Sequence, residues 1–522
     1  MPLTRRLRPA VIAALALAVA AAALALFLRR ALDGDALRSA AETQLSSMLG
    51  QPVTIAAMDI DLFPRAAVVG TGIRVGRTPK MRAPALEIGR IALLPRLRTL
   101  VGGPIVIQDL RLDGLVVSVL RDRDGGWHVP AAVPAPGADK GAGVVIDRVQ
   151  VTRGRVVVFD EADAGTLREA SSIDDIGAQV ALATGGLQFS PVTGRIGGAR
   201  ISGQARTDAA GAHLEFTAGA IADADLPALL GLLGSTRPEF LRLHESGAAT
   251  VALRIDRATS VLAGRGRLRA AQVGLEPLRL QAFDAPFTLD RNRLAFDQTA
   301  FTLYGGTHRG SIDIDLNPTP PRWRIDSHVS RLRIGDFLNA LTATDARIDG
   351  MAVIAATLRG PLNESLAETL TGRVQLTVED GVIRQFPLLA AVNRAVRLTA
   401  SDGPDTRFER LTATLALARG QAATDDLRMY AGHVRVEAAG RIGFDRSLDM
   451  TGKAVLSAER ATAAIRSVHE LSGLRNRNGE LEIPLTIAGT LDAPSFNLDL
   501  QAMIRKGIQD ELKRRLRNII RR

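Results

Sequence analysis

A mainly β chain, entered through an N-terminal transmembrane helix and ended by a basic amphipathic helix, is what three features of these 522 residues indicate. The first is a two-residue alternation of aliphatic and polar positions that recurs from about residue 50 to about residue 500, interrupted by only a few short helical patterns. The second is a long uncharged apolar run near the start. The third is a base-rich run at the end in which aliphatics return every four residues. Strands with one apolar and one polar face suit antiparallel pairing better than a parallel sheet buried on both sides.

Taken in order, residues 1–30 come first. The 19 apolar residues Ala10 to Leu28 make about 28 Å of helix at about 1.5 Å per residue, close to the thickness of a bilayer core. A cleaved signal peptide has a shorter apolar region, and Arg29 and Arg30 directly after the run suit cleavage poorly, so a retained anchor is the better reading. Bases before the run outweigh those after it once Asp33 and Asp35 are counted, which predicts a cytoplasmic N-terminus and a body outside the cytoplasm. Next, "DALRSAAETQLSSMLG" places Leu37, Ala40, Ala41, Leu45, Met48 and Leu49 at helical spacing and stops at Gly50.

The strand signals then begin with "GQPVTIAAMDIDLFPRAAVVGTGIRVG" (50–76). Val53 and Ile55 share a phase with Asp59 and Asp61 while Ile60 and Leu62 lie opposite, so the alternation slips near Ala56 and Ala57, as at a bulge. Residues 131–143, "AAVPAPGADKGAG", read as a linker. Four later strands alternate cleanly. Val251, Leu253 and Ile255 stand against Ala252, Arg254 and Asp256, and Ile312, Ile314 and Leu316 against Ser311, Asp313 and Asp315. Val374, Leu376 and Val378 oppose Gln375, Thr377 and Glu379, and Leu481, Ile483, Leu485 and Ile487 oppose Glu482, Pro484 and Thr486. Short helices are expected over 223–234 (N-cap Asp225, with Pro227 in the first turn), 335–343 and 386–396. These helices are too few to cover so much apolar strand surface. Either the faces bury one another in closed sandwiches or barrels, or a long curled sheet keeps an apolar inner face for a greasy ligand.

The net charge of +11 excludes less than it suggests. Residues 1–30 contribute +5 and residues 505–522 contribute +6, so the body between them is neutral and has no basic excess to follow a phosphate backbone. Trp127, Trp323, Tyr304 and Tyr430 are the only aromatics besides phenylalanines, which is poor for base stacking. Nucleic acid is not an expected partner. Without cysteine there are no disulfides, thiolate metal sites or cysteine nucleophiles.

The seven histidines (His128, His213, His244, His308, His328, His433, His469) have no metal-ligand spacing. There is no GxSxG elbow or Walker A loop, and the pairs Asp59 with Asp61 and Asp313 with Asp315 share strand faces that read as solvated rather than as acid and base. Neither an enzymatic activity nor a cofactor is expected. At the C-terminus, Leu500, Ile504, Ile508, Leu512, Leu516 and Ile520 form an apolar stripe. Arg505, Lys506, Lys513, Arg514, Arg515, Arg517, Arg521 and Arg522 fill much of the rest, which suits an anionic lipid surface or a helix packed on the last strands.

The order of these features resembles the AsmA family of Gram-negative envelope proteins. The resemblance runs through 50–76, "IVIQDLRLDGLVVSVLRDRDGGWHV" (105–129) and "IDRVQVTRGRVVVFDEA" (146–162). It continues in "LYGGTHRGSIDIDL" (303–316), "IGDFLNALT" (334–342), "LTGRVQLTVEDGVI" (370–383) and "AGTLDAPSFNLDLQAMI" (488–504). It implies an elongated, curled antiparallel β-sheet forming a groove, anchored in the inner membrane with its bulk in the periplasm. A role in phospholipid transport toward the outer membrane, or in outer-membrane assembly as a scaffold meeting other envelope proteins, follows from the resemblance. It implies no catalytic residues. The expected divisions are 1–30 as cytoplasmic tip and anchor, 31–135 as helix and first β unit, 136–240 as a middle β region, 241–499 as a C-terminal β region and 500–522 as the basic helix. In this reading Val251, Leu253, Ile255, Ile312, Ile314, Leu316, Val374, Leu376, Val378, Leu481, Ile483 and Leu485 line the groove.

Overall fold

The computed structural model describes residues 34–49, 51–61, 67–76, 84–96, 105–123, 125–129, 144–161, 166–183, 186–208, 210–342, 347–362, 366–398 and 403–498. The apolar run at 10–28 and the basic segment 500–522 lie outside them. Among the described residues no helix is long and apolar enough to cross a membrane. The chain forms two compact units. The first runs to Arg237 and takes Leu243–Ala271 and Pro286–Leu294; the second holds Pro238–Arg242, Gln272–Ala285 and the chain from Ala295 onward.

The first unit opens with α1 (Gly34–Leu49), which lays Ala41 and Leu45 on Val53, Ile55, Val68 and Ile73. Two α1 side chains finish the first strand's hydrogen bonds: Ser46 Oγ accepts from Val53 N at 2.9 Å and Glu42 Oε1 from Ile55 N at 2.7 Å. The expected slip in phase appears as a break between β1 (Val53–Thr54) and β2 (Ala57–Asp61). Val53 and Ile55 are buried before it, Met58 packs on the same core after it, and Asp59 and Asp61 are exposed. Opposite the break, Gly72 has φ +60, and a Cβ there would come within 2.8 Å of the Ala56 Cβ.

Both strands pair with β3 (Ala67–Val75), followed antiparallel by β4 (Leu86–Pro95) and β5 (Ile105–Arg121). Here the ladder departs from the antiparallel expectation. After β6 (Trp127–His128), β7 (Val144–Ile146) and β8 (Val149–Glu161) pair parallel to β5. The connection from 122 to 148 is long enough for the crossover that a parallel pair requires. Antiparallel pairing then resumes through β9 (Leu167–Ala183), β10 (Gly186–Ile196), β11 (Ala199–Asp208) and β12 (Gly211–Ile221) to β14 (Gly247–Asp256) and β15 (Leu262–Leu275). The short β13 (Leu241–Leu243) intervenes in sequence.

The helix expected over 223–234 forms as a 3-10 turn, Asp223–Asp225, and α2 (Leu226–Leu232). Asp225 does not cap α2; its buried carboxylate accepts from Gly198 N at 2.6 Å and Ala222 N at 2.8 Å, tying the turn to the β10–β11 hairpin. Ala228, Leu229 and Leu232 then cover Ile196, Ile201, Ala218 and Ala249. Arg121, 6% exposed, holds the other end of α2. Its guanidinium donates to the Leu232 and Gly231 carbonyls at 2.9 and 3.2 Å and to Asp160 Oδ1 at 2.9 and 2.6 Å, beneath the Trp127 ring at 5.4 Å. A cation at a helix C-terminus is favourable, and one with this many partners leaves several groups unpaired if removed. Arg121→Ala is therefore expected to destabilise the first unit by about 3 kcal/mol. Hydrogen exchange read on β5, β8 and α2, with protection lost there first, is the check.

In the second unit every strand from β18 pairs antiparallel with the next, after β16 (Leu278–Asp290) and β17 (Arg293–Leu303). The series is β18 (Gly306–Asp315), β19 (Arg322–Arg333), β20 (Ile348–Pro361), β21 (Thr371–Ile383), β22 (Thr406–Ala418), β23 (Gln421–Ala431), β24 (Val434–Gly443), β25 (Ser447–Leu456), β26 (Leu481–Thr490) and β27 (Pro494–Leu498). Two expected helices form as α3 (Ile334–Thr342), packed on β20, and, after the short α4 (Leu366–Thr369), as α5 (Leu388–Ala395). Buried Leu388 and Val392 sit on α5, and the preceding Phe386 meets Phe496 of β27 edge-on at 4.8 Å. A helix absent from the sequence reading, α6 (Ala458–Ser467), continues into a 3-10 turn, His469–Leu474. Its Ala461 and Ala464, with Leu471, are fully buried beside β25 and β26.

Candidate functional site

Register decides which side chains share a face. In the second unit one row runs Ile312, Ile325, Leu358, Gly372, Leu417, Ala422, Ile442, Leu448 and Gly489 across nine strands. A parallel row runs Ala352, Val378, Leu411, Met429, Val436, Ala454 and Ile483 across β20 to β26. Between them lie Ala356 with Val374 and Leu415, and Ile354 with Leu376 and Ala413. The opposite face carries Arg324, Arg359, Gln375, Thr377 and Arg410. One face is thus mostly apolar over the series, with His308, Ser327 and Thr424 as its polar members.

Burial divides that face. The Ala352 to Ile483 row is closed, at 7% exposure or less throughout, under the end of the sheet where α3 and α5 sit. Toward the other end of β18 to β22, Ile312, Ile314, Ile325, Ile354, Leu358, Val374, Leu376, Leu415 and Leu417 are half-buried. Of the residues singled out from sequence, Ile312 and Ile314, Leu316 just past β18, and Val374 and Leu376 lie in this half-buried region, whereas Val378 belongs to the closed row. Leu481, Ile483 and Leu485 are closed as well, at 0, 0 and 2% exposure beside α6. In the first unit, Val251, Leu253 and Ile255 are half-buried on the apolar face of β14, in rows with Phe216 and Leu214 of β12. Arg505, Lys506, Lys513, Arg514, Arg515, Arg517, Arg521 and Arg522 lie outside the described residues.

Sequence reading passed over Trp323, Ile325, Leu358, Leu415 and Leu417, which complete the half-buried region. The signal in β19, "RWRIDSHVSRLR", is a true alternation weakened by Ser327 and by a register shift after Val329. In β22 a shift separates the Leu411 and Leu417 registers. Trp323 donates Nε1–H to the Pro361 carbonyl at 3.1 Å, and its ring lies against Gly360, where an added Cβ would sit 3.5 Å from it.

Residues 265–427, from β15 into β23, match the AsmA family model. This segment is of the AsmA family. The matched stretch is just under a third of the chain, and it contains the half-buried apolar region of the second unit. A comparison with curated proteins finds no match.

The AsmA segment also buries a histidine on this face. His308, 0% exposed, stands across from Val329 and stacks on Phe301 with centroids 3.9 Å apart. Thr299 Oγ1 donates to the Gly310 carbonyl at 3.0 Å and is left to accept from His308 Nε2 at 3.1 Å, so Nδ1 is the acceptor for the Ser327 hydroxyl at 2.9 Å. That network suits a neutral ring, and burial pushes its pKa down to about 4. Between about pH 4 and 6.5 the unfolded chain binds a proton that the folded chain does not. Stability therefore holds above about pH 6.5, falls by roughly 3 kcal/mol as pH drops to about 4, and gains no further dependence on this group below that. Melting followed across this range should show the slope in the parent and lose it in His308→Gln.

Proposed function

We propose that this chain, which carries an AsmA family segment, is anchored in the inner membrane by residues 10–28, extends into the periplasm, and takes part in moving phospholipid between the inner and outer membranes. The observation that carries the reading is the half-buried apolar face of β18 to β22. Its side chains are not sealed beneath a helix, and on β20 to β22 no polar side chain shares the face with them. Apolar surface left in this state gains about 25 cal/mol for each Å² that a ligand covers, and acyl chains are the ligand whose surface is apolar throughout. No cofactor and no bond-making step enter the proposal. The protein acts by solvating hydrocarbon.

Two further features fit. The polar face keeps the sheet compatible with water while the apolar face holds the chains. The base-rich stretch 505–522 suits contact with an anionic membrane surface at the far end of the chain. The alternative, a non-enzymatic scaffold for outer-membrane protein assembly, draws support from the closed rows of β24 to β26, which leave no lining for a ligand.

Purification of the full-length chain in mild detergent, followed by lipid extraction and mass spectrometry, separates the two. The parent is expected to carry phospholipid at about one molecule per chain or more. Ile314→Asp, which sets an unpaired charge in the half-buried region, should lower it several-fold with the melting temperature nearly unchanged. Unaltered lipid in a folded Ile314→Asp chain sinks the transport reading, and a lipid-free parent moves the weight to the scaffold.

A further inference from the structure

The apolar rows of the second unit change their burial part-way along. In one row, Ile312, Ile325, Leu358 and Leu417 of β18 to β22 are half-buried, whereas Ala422 and Leu448 farther on are 7 and 6% exposed, with Ile442 between them half-buried. Met450, Leu485 and Ile487 on the same face are closed as well. One cover over β25 and β26 is already described: α6 with its 3-10 turn joins the Leu456 end of β25 to the Leu481 end of β26. Met450 and Ile487 lie six residues from that end, roughly 20 Å along the strands, and a second cover meets them there.

It is the arm made by the β26–β27 turn and β27. Phe496 stands across from Ile487, meets Phe386 edge-on at 4.8 Å, and α5, which follows Phe386, packs on β27. In the turn, Asp492 takes Arg446 at 2.7 Å and Arg347 at 3.5 Å. Arg347 directly precedes β20, and six strand spacings separate β20 from β26, about 29 Å at about 4.8 Å each if the sheet lay flat. The sheet therefore curls until its β20–β21 side meets β27, the start of β20 against the far end of β26, as tilted strands meet when a sheet closes. The aliphatics of β23 to β26 lie inside that closure. The arm is also short for a physical reason. Thr490 and Ala493 exchange both backbone bonds, so the ladder alternation puts the following pairs at Ala488, Thr486 and Pro484, and Pro484 has no N–H to extend β27 beyond Leu498. Across the seam the named contacts are made by side chains, since β27 finds its ladder partner in β26, and Asp492 is 53% exposed. An ion pair this wet adds little.

We propose that this arm is a stop. It ends the tail-binding face of the second unit at β22, so that acyl chains held on β18 to β22 do not pass beneath β24 to β26 and leave across the same half-buried face by which they entered. Phe386 and Phe496, with Arg347 and Asp492, hold it shut. The inference rests on the lipid-binding reading above and adds a limit to it. Register alone sets no such limit, because Leu417, Ala422, Ile442 and Leu448 continue the row without a break. The limit comes from closure, since a core packed at interior density has no room for a tail.

The test uses the full chain in mild detergent with phosphatidylethanolamine bearing a photoreactive diazirine near the end of one tail. Crosslinked peptides from β18 to β22 are counted against those from β24 to β26. In the parent the first group is expected to exceed the second about tenfold. The triple variant Arg347→Cys, Asp492→Cys, Phe496→Ala loosens the seam, and because the parent chain has no cysteine, a short bismaleimide can join the two thiols and close it again. Untreated, this variant should raise the β24 to β26 share about fivefold, through the space that Phe496 vacates, with labelling of β18 to β22 retained. Treated, it should return to the parent pattern, which a merely unfolded variant does not do. An even distribution in the parent, an unchanged share in the untreated variant, or a spread that the bismaleimide fails to reverse overturns the stop while leaving lipid binding intact. Absence of crosslinks from every peptide overturns lipid binding and the stop together.

Discussion

The constraint on which this protein depends is parity. In a sheet, successive side chains point to opposite faces, so a slip of one residue in any strand sends its aliphatics to the wrong side. The second unit keeps parity through nine consecutive antiparallel pairings, although four of them contain register shifts, after Val329, Asp349, Thr412 and Thr424. These irregularities do not break the rows. Ala352, Val378, Leu411, Met429 and Val436 remain in line across β20 to β24, because each shift is absorbed within a strand and the aliphatic phase resumes beyond it. The first unit follows the same rule, with Val180, Phe189, Ala205, Leu214 and Leu253 in one row and Gln188, Arg206, His213 and Arg254 in a row on the other face.

Parity makes an apolar face but does not cover it. Covering comes from the connections. Where a link between strands is a tight turn, as at Arg419–Gly420, the link itself adds no cover, and nothing lies within 4 Å of a Cβ placed on Gly420. Where it contains a helix, the helix folds back and closes the rows nearest its own end: α2 over Ile196 and Ala249, α5 with Phe386 reaching Phe496, and α6 with Leu471 beside Leu481. Because α3 and α5 both leave from the same end of β19 to β22, that end is closed and the other is not. The polar clamps serve this covering. Arg121 takes up carbonyls at the end of α2 that a helix terminus leaves without partners, and Asp225 ties the turn before α2 to the β10–β11 hairpin.

This division also accounts for what could be read from the amino-acid sequence. Alternation in 251–256, 312–316, 374–378 and 481–487 identified four strands and their apolar phase, because period two is a local property. Pro227 and the aliphatics of 335–343 and 386–396 marked three helices for the same reason. Closure is not local. Nothing in "LTGRVQLTVEDGVI" distinguishes Leu376, half-buried, from Val378, fully buried; the difference comes from helices that depart elsewhere in the chain. The parallel pairing of β5 with β8, the Arg121 clamp spanning more than a hundred residues to Leu232, and the Ala-rich α6 escaped for the same reason. Each is fixed by partners distant in sequence.

Intermediate burial is itself a functional requirement of a surface that must hold hydrocarbon and release it. A lining packed like Leu481, Ile483 and Leu485 has its contacts satisfied by the protein's own side chains, at interior density, and has no place for a ligand. A lining fully open to water would offer a large apolar patch to any neighbouring chain, with aggregation as the outcome. Half-buried residues such as Ile314, Ile325 and Leu376 lie between these limits. Each retains apolar surface, and because the positions repeat in register from strand to strand, a tail taken up under the proposed function would find on leaving one site another of the same kind. A charge placed on the aliphatic rows of β20 to β22 would find no polar partner on that face.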